Sequence, residues 1–288
     1  MRWFAYNGDA DGICSMVIRG LVHGIEGERV TGVKRDIELL ERVDAKPGDE
    51  VIVMDISLAR NHDRAKHLAD SGASITWFDH HLQGEPIPEI TSHIDTSANV
   101  CTALLVSRVL GSGEDWAMVA LHGDGLGAHS SRDDLAELGE LLNYNGYGFS
   151  LADLHFHPDE LMVACLEAGS PEVFMQSETF FRLRSGFAED IAHCDSIEIV
   201  DGIHMLPDEP WARRVVGVYA HRLNRGEGGP HVIAIDRGET LQISVRGENG
   251  IGELCAKFGG GGRETAGGID TLPKGEIPAL MNEISTRR

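Results

Sequence analysis

The chain begins with apolar runs that alternate with stretches of helical periodicity. Three apolar runs bounded by polar or turn residues predict buried strands: Trp3–Asn7, Glu50–Ile56 and Ala73–Phe78. Ile13–His23 has apolar residues at helical spacing, and the more polar stretch Asn61–Ser71 predicts a second helix with Asn61 as its N-cap. Strands that alternate with helices in this way predict a parallel sheet with helices on both faces.

The rest of the chain predicts more helices and then a second block of strands. Helices are expected near residues 99–110, 115–122 and 132–143, and most of residues 150–195 is expected to be helical. From residue 196 onward four segments favour strands: 196–202, 213–220, 231–238 and 240–247. The sequence therefore predicts an α/β protein made of three parts: a parallel-sheet domain (1–150), a helical connector (151–205) and a smaller α/β domain (206–288).

Size and composition fit this organisation. The chain has 288 residues, and a typical domain has about 150 residues, so roughly two domains are expected. A hydrophobic fraction of 42% is enough to build a core, which excludes disordered, collagen-like and coiled-coil classes. The N-terminus has acidic residues by position 9 and predicts no signal peptide. The five cysteines form no CxxC pair, so we expect reduced thiols and a cytoplasmic location.

The charge is strongly negative and unevenly distributed. The net charge is −21; residues 1–210 carry 14 Lys and Arg against 37 Asp and Glu (net −23), whereas residues 211–288 carry 11 against 9 (net +2). A protein that binds long duplex needs a large basic surface, so we expect no long-duplex binding. Much of the acidity has an ordinary explanation in solubility. No apolar run is long enough to span a membrane, so no membrane partner is expected.

Acids and imidazoles follow the predicted strands at their carboxyl ends. Three groups lie there: Asn7, Asp9 and Asp11 in NGDADG; Asp55 at the end of EVIVMD; and Asp79, His80 and His81 after ASITWF. A fourth, Asp124, lies in the turn HGDGLG after a predicted helix. Ligands of open α/β sheets bind at this edge. Carboxylates crowded together repel one another unless a cation lies among them. Oxygen-rich sites with an imidazole suit Mn²⁺ or Mg²⁺ better than Zn²⁺.

Each acid also has a local structural explanation. Asp9 and Asp11 are placed to cap the next helix, Asp55 to close a turn, and Asp124 to form an Asx-turn between glycines. These explanations suffice for single residues. They do not explain why all four groups fall at the ends of successive elements, so the combination favours a metal site.

The order of the groups resembles the four motifs of the DHH phosphoesterase family. That family includes RecJ-type single-strand exonucleases, oligoribonucleases, cyclic-dinucleotide phosphodiesterases and exopolyphosphatases. The tail sequences SVRG and FGGGGRETAGG resemble its DHHA1 substrate-binding domain. The resemblance covers residues 1–125 and 240–270, and it implies an active site in the cleft between the two domains.

The resemblance implies a role for each matched residue. It assigns Asp9 to a first metal ion, Asp11, His80 and Asp124 to a second, and Asp55 to both. His81 would face the scissile phosphate and Asp79 would orient the histidines. Substrate would be held by the following residues of the second domain: Arg246, Gly260, Gly261, Gly262 and Arg263. The implied cofactor is a pair of Mn²⁺ ions, with Mg²⁺ as the alternative.

Two residues depart from the family pattern. Members usually have His or Asp where this chain has Asn7, which is a weaker ligand and has a second explanation as a structural amide. Members usually end the glycine loop with His where this chain has Arg263, whose guanidinium suits a phosphate but also suits an ion pair with Glu264.

The expected function is metal-dependent hydrolysis of phosphodiester bonds in short single-stranded oligonucleotides or dinucleotides. Two alternatives stay open. In the first, the substrate would be polyphosphate or another phosphate without a nucleotide, and the low aromatic content of 6% favours this alternative. In the second, the chain would be a non-catalytic nucleotide-binding module, and the departures at Asn7 and Arg263 favour this one. The sequence leaves open whether the protein forms a homodimer.

Overall fold

The computed structural model describes residues 1–226 and 229–285. These residues form two compact units, Met1–Ser185 and Gly186–Arg288. The division falls within the segment 151–205 that was predicted to be a helical connector. Each unit has its own sheet and its own core.

A five-stranded parallel sheet forms the centre of the first unit. Its strands, in chain order, are β1 (Arg2–Tyr6), β2 (Glu28–Val30), β3 (Glu50–Met54), β4 (Ser74–Asp79) and β5 (Thr91–Ile94). Their spatial order is β2-β1-β3-β4-β5, and every neighbouring pair is parallel. The carboxyl ends of β1, β3 and β4 are therefore adjacent, and the polar residues that follow them share one edge of the sheet.

Helices pack against this sheet. The helices of the first unit are α1 (Ala10–His23), α2 (Leu58–Asp70), α3 (Thr102–Leu110), α4 (Glu114–Gly123), α5 (Ala136–Gly146), α6 (Pro158–Ala168) and α7 (Pro171–Phe174), and α8 (Glu178–His193) runs from the first unit into the second. Helix α2 contacts β4. Helix α1 contacts β1 and β3, α3 contacts β4, and these two helices also pack on each other. Alternate strand residues such as Val53 and Trp77 join the same buried cluster.

The second unit has a mixed six-stranded sheet. Its strands are β6 (Glu198–Val200), β7 (Ile203–Leu206), β8 (His231–Asp236), β9 (Thr240–Arg246), β10 (Gly261–Arg263) and β11 (Ala266–Pro273), in the spatial order β10-β11-β9-β8-β7-β6. Only β7 and β8 are parallel among these strands. Its helices are α9 (Pro210–Gly226), α10 (Ile251–Ala256) and α11 (Ile277–Ser285). The predicted α/β class is confirmed for both units.

Two local predictions were wrong. Residues 213–220 were predicted to be a strand and instead lie inside α9, because Ala212, Val215, Val216 and Ala220 are buried at helical spacing. Asn61 was predicted to cap α2, but the helix begins at Leu58 after Ser57. The buried Asn61 amide instead donates to the carbonyl oxygens of Ile37 (2.7 Å) and Ser57 (3.0 Å).

Candidate active site

Asp9 and Asp11 lie at the beginning of α1, and each accepts hydrogen bonds from backbone amides. Asp9 is the N-cap, and its Oδ1 accepts from the amides of Asp11 and Gly12, both at 3.1 Å. A Cβ at Gly12 would lie 2.1 Å from the carbonyl oxygen of Asn7, so this close turn requires glycine. Asp11 is fully buried, and its two oxygens accept from the amides of Thr102 and Ala103 at the start of α3, both at 2.7 Å.

Asp55 follows β3 in a left-handed backbone conformation. Its φ is +58°, a value that aspartate adopts more readily than most residues, and its amide donates to the carbonyl of Phe78 at 3.0 Å. Thr102 Oγ1 donates to its Oδ1 at 3.2 Å. Burial, and then the charges of Asp11 and Asp9, raise the pKa of Asp55 well above its usual value.

Asp79 contacts both histidines of the triplet at the end of β4. Its Oδ1 accepts from the amide of His80 at 2.9 Å and lies 2.7 Å from His81 Nδ1. The hydrogen bond to Asp79 raises the pKa of His81 against the opposing effect of burial. His80 Nδ1 lies 3.0 Å from the carbonyl of Val100, so it donates there and leaves Nε2 as a lone-pair donor. Asp79 thus contacts the His81 ring, and its role in orienting the histidines stays a prediction.

The Nε2 atom of His80 is surrounded by carboxylates. It lies 3.5 Å from an oxygen of Asp124, 3.6 Å from one of Asp55 and 3.8 Å from one of Asp11. Two overlapping groups have the spacing of metal ligands: Asp11 with His80 and Asp124, and Asp55 with His80 and His81. An imidazole among hard oxygen ligands suits Mn²⁺ or Mg²⁺.

Asp124, at the C-terminus of α4, has an oxygen with no partner in the described ranges. Its Oδ2 is buried and accepts no hydrogen bond from any residue of 1–226 or 229–285. Burial, and then the charge of Asp11, raise the pKa of Asp124 to about 6, although Lys34 opposes this rise. A buried carboxylate oxygen without a donor is costly, so a bound cation would stabilise this arrangement.

Asn7 makes hydrogen bonds only to the backbone in the described structure. Its Oδ1 accepts from the amide of Asp9 at 3.2 Å, and its Nδ2 donates to the carbonyl of Lys34 at 3.2 Å. These contacts fit the interpretation of Asn7 as a structural amide rather than a metal ligand. They also connect Asn7 to Lys34, which belongs to none of the sequence motifs.

Lys34 extends its side chain into the carboxylate cluster. Its Nζ lies 2.5 Å from Asp9 Oδ2, 3.4 Å from Asn143 Oδ1 and 3.9 Å from Asp124 Oδ1. Burial works to lower the pKa of Lys34, but Asp9 and other neighbours raise it well above its usual value. No motif in the sequence contains Lys34, and the one available signal was the neutral Asn7, which removes a ligand from a cation site.

Tyr147, directly after α5, lies beside this lysine, whereas Tyr144 lies within the helix. Tyr144 is fully buried and its hydroxyl lies 2.6 Å from His155 Nε2. Tyr147 is half-buried, with its ring 5.6 Å from Lys34 Nζ, and Arg35 lies 4.2 Å from the ring of Phe149. Of the two tyrosines, only Tyr147 is therefore exposed enough to meet a ligand.

The predicted substrate-binding residues belong to the second unit. Arg246 ends β9, and its Nη1 donates to the carbonyl of Val245 at 3.0 Å. Gly260, Gly261 and Gly262 lead into or form the short strand β10, which also includes Arg263; the side chain of Arg263 lies outside the described structure. Glu264 accepts from the amide of Gly250 at 2.9 Å.

The glycine loop combines close packing with one open position. Gly262 has a φ of +155°, and a Cβ there would lie 2.2 Å from the carbonyl oxygen of Ala266. Gly260 is equally confined, since its Cβ would lie 2.0 Å from the carbonyl of Gly268. Gly261 has nothing within 4 Å of a Cβ. The close packing of the β10–β11 hairpin thus requires glycine at positions 260 and 262. At position 261, packing does not require glycine.

Comparison with solved structures identifies the fold. A pGpG-specific phosphodiesterase, PggH from Vibrio cholerae, matches with a TM-score of 0.57 and 16% identity over 99% of this chain and 98% of that one. An exopolyphosphatase-related protein from Bacteroides fragilis matches with a TM-score of 0.54 and 13% identity, covering 99% and 91%. RecJ in complex with Mn²⁺ from Thermus thermophilus matches with a TM-score of 0.60 and 19% identity, covering 99% of this chain and 51% of that chain.

These similarities confirm the fold that the DHH resemblance implies. No protein-family profile matches the chain, and no curated protein matches it in sequence. At 13–19% identity the likeness extends to the fold alone. Within residues 1–226 and 229–285, none of the helices has both the length and the apolar character that crossing a bilayer requires.

Proposed function

We propose that this protein is a divalent-metal-dependent phosphoesterase that hydrolyses phosphodiester bonds in short oligonucleotides or dinucleotides. The observation that carries the proposal is the buried Oδ2 of Asp124, which has no donor among the described residues and lies within the carboxylate cluster, 3.5 Å from His80 Nε2. The pGpG specificity of the Vibrio cholerae neighbour supports a dinucleotide as the substrate.

The side chains present fit a hard divalent cation. Asp11, Asp55, His80 and Asp124 would hold it, and all three carboxylates approach the same imidazole nitrogen within 3.8 Å. We propose Mn²⁺, with Mg²⁺ as the alternative, because oxygen ligands and one imidazole suit both. A bound ion of this kind lowers the pKa of a water molecule and neutralises charge on phosphoryl oxygens.

The remaining residues of the site would contact the substrate or hold the metal ligands in position. Asp79 fixes the ring of His81 through Nδ1, so Nε2 is the nitrogen that would contact a phosphoryl oxygen. The raised pKa of His81 favours the imidazolium form, which can donate a hydrogen bond to developing negative charge. Asp11 and Asp55 are held in place by Thr102, through its amide and its hydroxyl respectively.

We further propose that the second unit binds the part of the substrate that is not cleaved. Arg246 and Arg263 would supply positive charge, and the open Gly261 would let backbone amides approach a phosphate. The net charge of +2 over residues 211–288 supports this division of labour, because the acidic remainder would repel a polyanion.

We place this activity in the cytoplasm. All five cysteines are buried and unpaired, as a reducing compartment permits.

A substrate panel tests the proposal. Purified protein is incubated with Mn²⁺ and a linear diguanylate, short single-stranded RNA and DNA, polyphosphate, or a small chromogenic phosphodiester. We expect hydrolysis of the dinucleotide that EDTA abolishes and that Asp124→Asn removes. Asp63→Asn, which removes the same charge at an exposed position of α2, is the matched control and should retain activity.

The panel also separates the alternatives. Release of phosphate from polyphosphate with no action on nucleotides would replace the proposed substrate by a phosphate chain. Nucleotide binding without any hydrolysis would mean that the chain is a binding module.

A further inference from the structure

The ammonium group of Lys34 occupies a position between two carboxylates of the proposed metal site. Its Nζ lies 2.5 Å from Asp9 Oδ2 and 3.9 Å from Asp124 Oδ1, and the Oδ1 of Asn143 is a third oxygen at 3.4 Å. Oxygens from three separate segments therefore converge on one positive charge. A metal ion in this place would have the same neighbours, since hard cations take carboxylate and amide oxygens.

The backbone of Lys34 is fixed at this place. Its amide donates to the carbonyl of Gly146 at 2.8 Å, and its carbonyl accepts from the Asn7 side chain at 3.2 Å. The ring of Tyr147 lies 5.6 Å from the ammonium, which adds a cation–π contact. The lysine therefore approaches Asp9 from a fixed main chain on one side of the cluster.

Both carboxylate oxygens of Asp9 are already engaged by hydrogen-bond donors. Its Oδ1 accepts two backbone amides, and its Oδ2 accepts the Lys34 ammonium. The neighbouring Asn7 carries no charge, and its own oxygen accepts from the amide of Asp9. This half of the site thus has a cation already. In the described residues, neither group with metal-ligand spacing includes Asp9.

The other half of the site has acids that make no close ion pair with Lys34, whose Nζ is 3.9 Å from Asp124 Oδ1. Asp11, Asp55 and Asp124 approach His80 Nε2, and the buried Oδ2 of Asp124 has no partner within the described residues. One divalent ion there and the Lys34 ammonium would together carry three positive charges. They would face four carboxylates, which include Asp9.

We infer that this protein binds a single divalent ion and that Lys34 serves as the fixed second cation of the site. The inference rests on the proposed metal-dependent function and changes the number of ions that the family resemblance implies. The Lys34 side chain is 31% exposed, and its ammonium lies beside the carboxylates of the site. It would then neutralise charge that a second metal ion would otherwise neutralise.

Metal stoichiometry tests the inference without any activity measurement. The full chain is saturated with Mn²⁺, and bound ions are counted by isothermal titration calorimetry and by native mass spectrometry. We expect one ion per chain and the electron paramagnetic resonance spectrum of an isolated Mn²⁺ ion. Two ions per chain with a spin-coupled spectrum would overturn the inference and leave the proposed function standing. No bound ion at all would overturn the proposed function itself.

Variants at the two unusual positions provide a second readout. Lys34→Met removes the ammonium and keeps most of the side-chain volume, and Asn7→Asp restores a charged ligand beside Asp9. The double variant should bind two ions and give the coupled spectrum, whereas a double variant that still binds one ion would contradict the role of Lys34. Lys66→Met removes the same charge from an exposed helical position and should still bind one ion. Circular dichroism of each variant checks that the fold is retained.

Discussion

Replacing Asp124 by asparagine should stabilise the metal-free protein at neutral pH, although the same change should remove activity. Asp124 is ionised at neutral pH in a place that burial and Asp11 make unfavourable, and its Oδ2 has no partner among the described residues. An amide in the same volume carries no charge, and it can donate to His80 Nε2, which lies 3.5 Å away.

The size of the effect follows from the pKa of Asp124. Folding raises that pKa from 3.8 to about 6, and this value already includes the opposing attraction of Lys34. A pKa difference of about 2 corresponds to about 3 kcal/mol, because each pKa unit is worth about 1.4 kcal/mol. The wild-type protein therefore carries a penalty of up to about 3 kcal/mol, and the variant does not.

The sign of the pH dependence is fixed by the raised pKa. Below about pH 4 the carboxyl is protonated in both the folded and the unfolded protein, so it contributes no penalty. As the pH rises through the folded value of about 6, the folded protein loses its proton and the full penalty appears. The stability of the wild type should thus fall over this interval relative to the variant, and the difference should be constant above about pH 7.

Urea unfolding in EDTA, followed by circular dichroism across this pH range, measures the difference. Asp63→Asn is the control, because it removes a charge from an exposed position. A variant that is less stable than the wild type at neutral pH, or a difference that does not change with pH, would refute the reasoning. Added Mn²⁺ should stabilise the wild type more than Asp124→Asn, since the ion removes the same penalty.

Three further changes test other parts of the molecule. Asp55→Ala should abolish hydrolysis of a dinucleotide, and Asp55→Asn should do so with the fold intact because asparagine tolerates a φ of +58°; residual turnover above a few per cent would exclude Asp55 as a ligand. Arg263→Ala should raise the KM for a dinucleotide by roughly 10- to 150-fold with little change in kcat, and equal losses on a small chromogenic phosphodiester would instead indicate a role in folding. Asp190→Ala should cost about 3–5 kcal/mol in urea unfolding, because it leaves Arg214 buried without its carboxylate; a cost below about 1 kcal/mol would contradict this.

The strand-end acids could be predicted because periodicity and chain order determine where they lie. Each predicted strand of the first unit was found within two residues of its expected limits, and β1, β3 and β4 are neighbours in the sheet. Residues that follow three adjacent parallel strands must share an edge, so Asp9, Asp55 and His80 are brought together by topology alone.

Lys34 could not be predicted in the same way. It lies outside every regular strand and helix, and its ammonium reaches Asp9 across 25 positions of the sequence. A long flexible side chain has many rotamers, and only the surrounding tertiary structure selects one. The strand predicted at 213–220 failed for another reason: its valines favour strands by residue type, whereas the burial of Val215, Val216 and Ala220 follows the period of a helix.

The contacts of Asp11 determine which substitutions can be interpreted. Its two oxygens accept the amides of Thr102 and Ala103, so the same carboxylate that approaches His80 also satisfies the first turn of α3. Loss of Asp11 would therefore remove a proposed metal ligand and leave two buried amides without their acceptor, and reduced activity would not distinguish these causes. Asp124 Oδ2 has no such contacts within the described residues, so replacing Asp124 does not leave a backbone amide without its acceptor, and the change is easier to interpret.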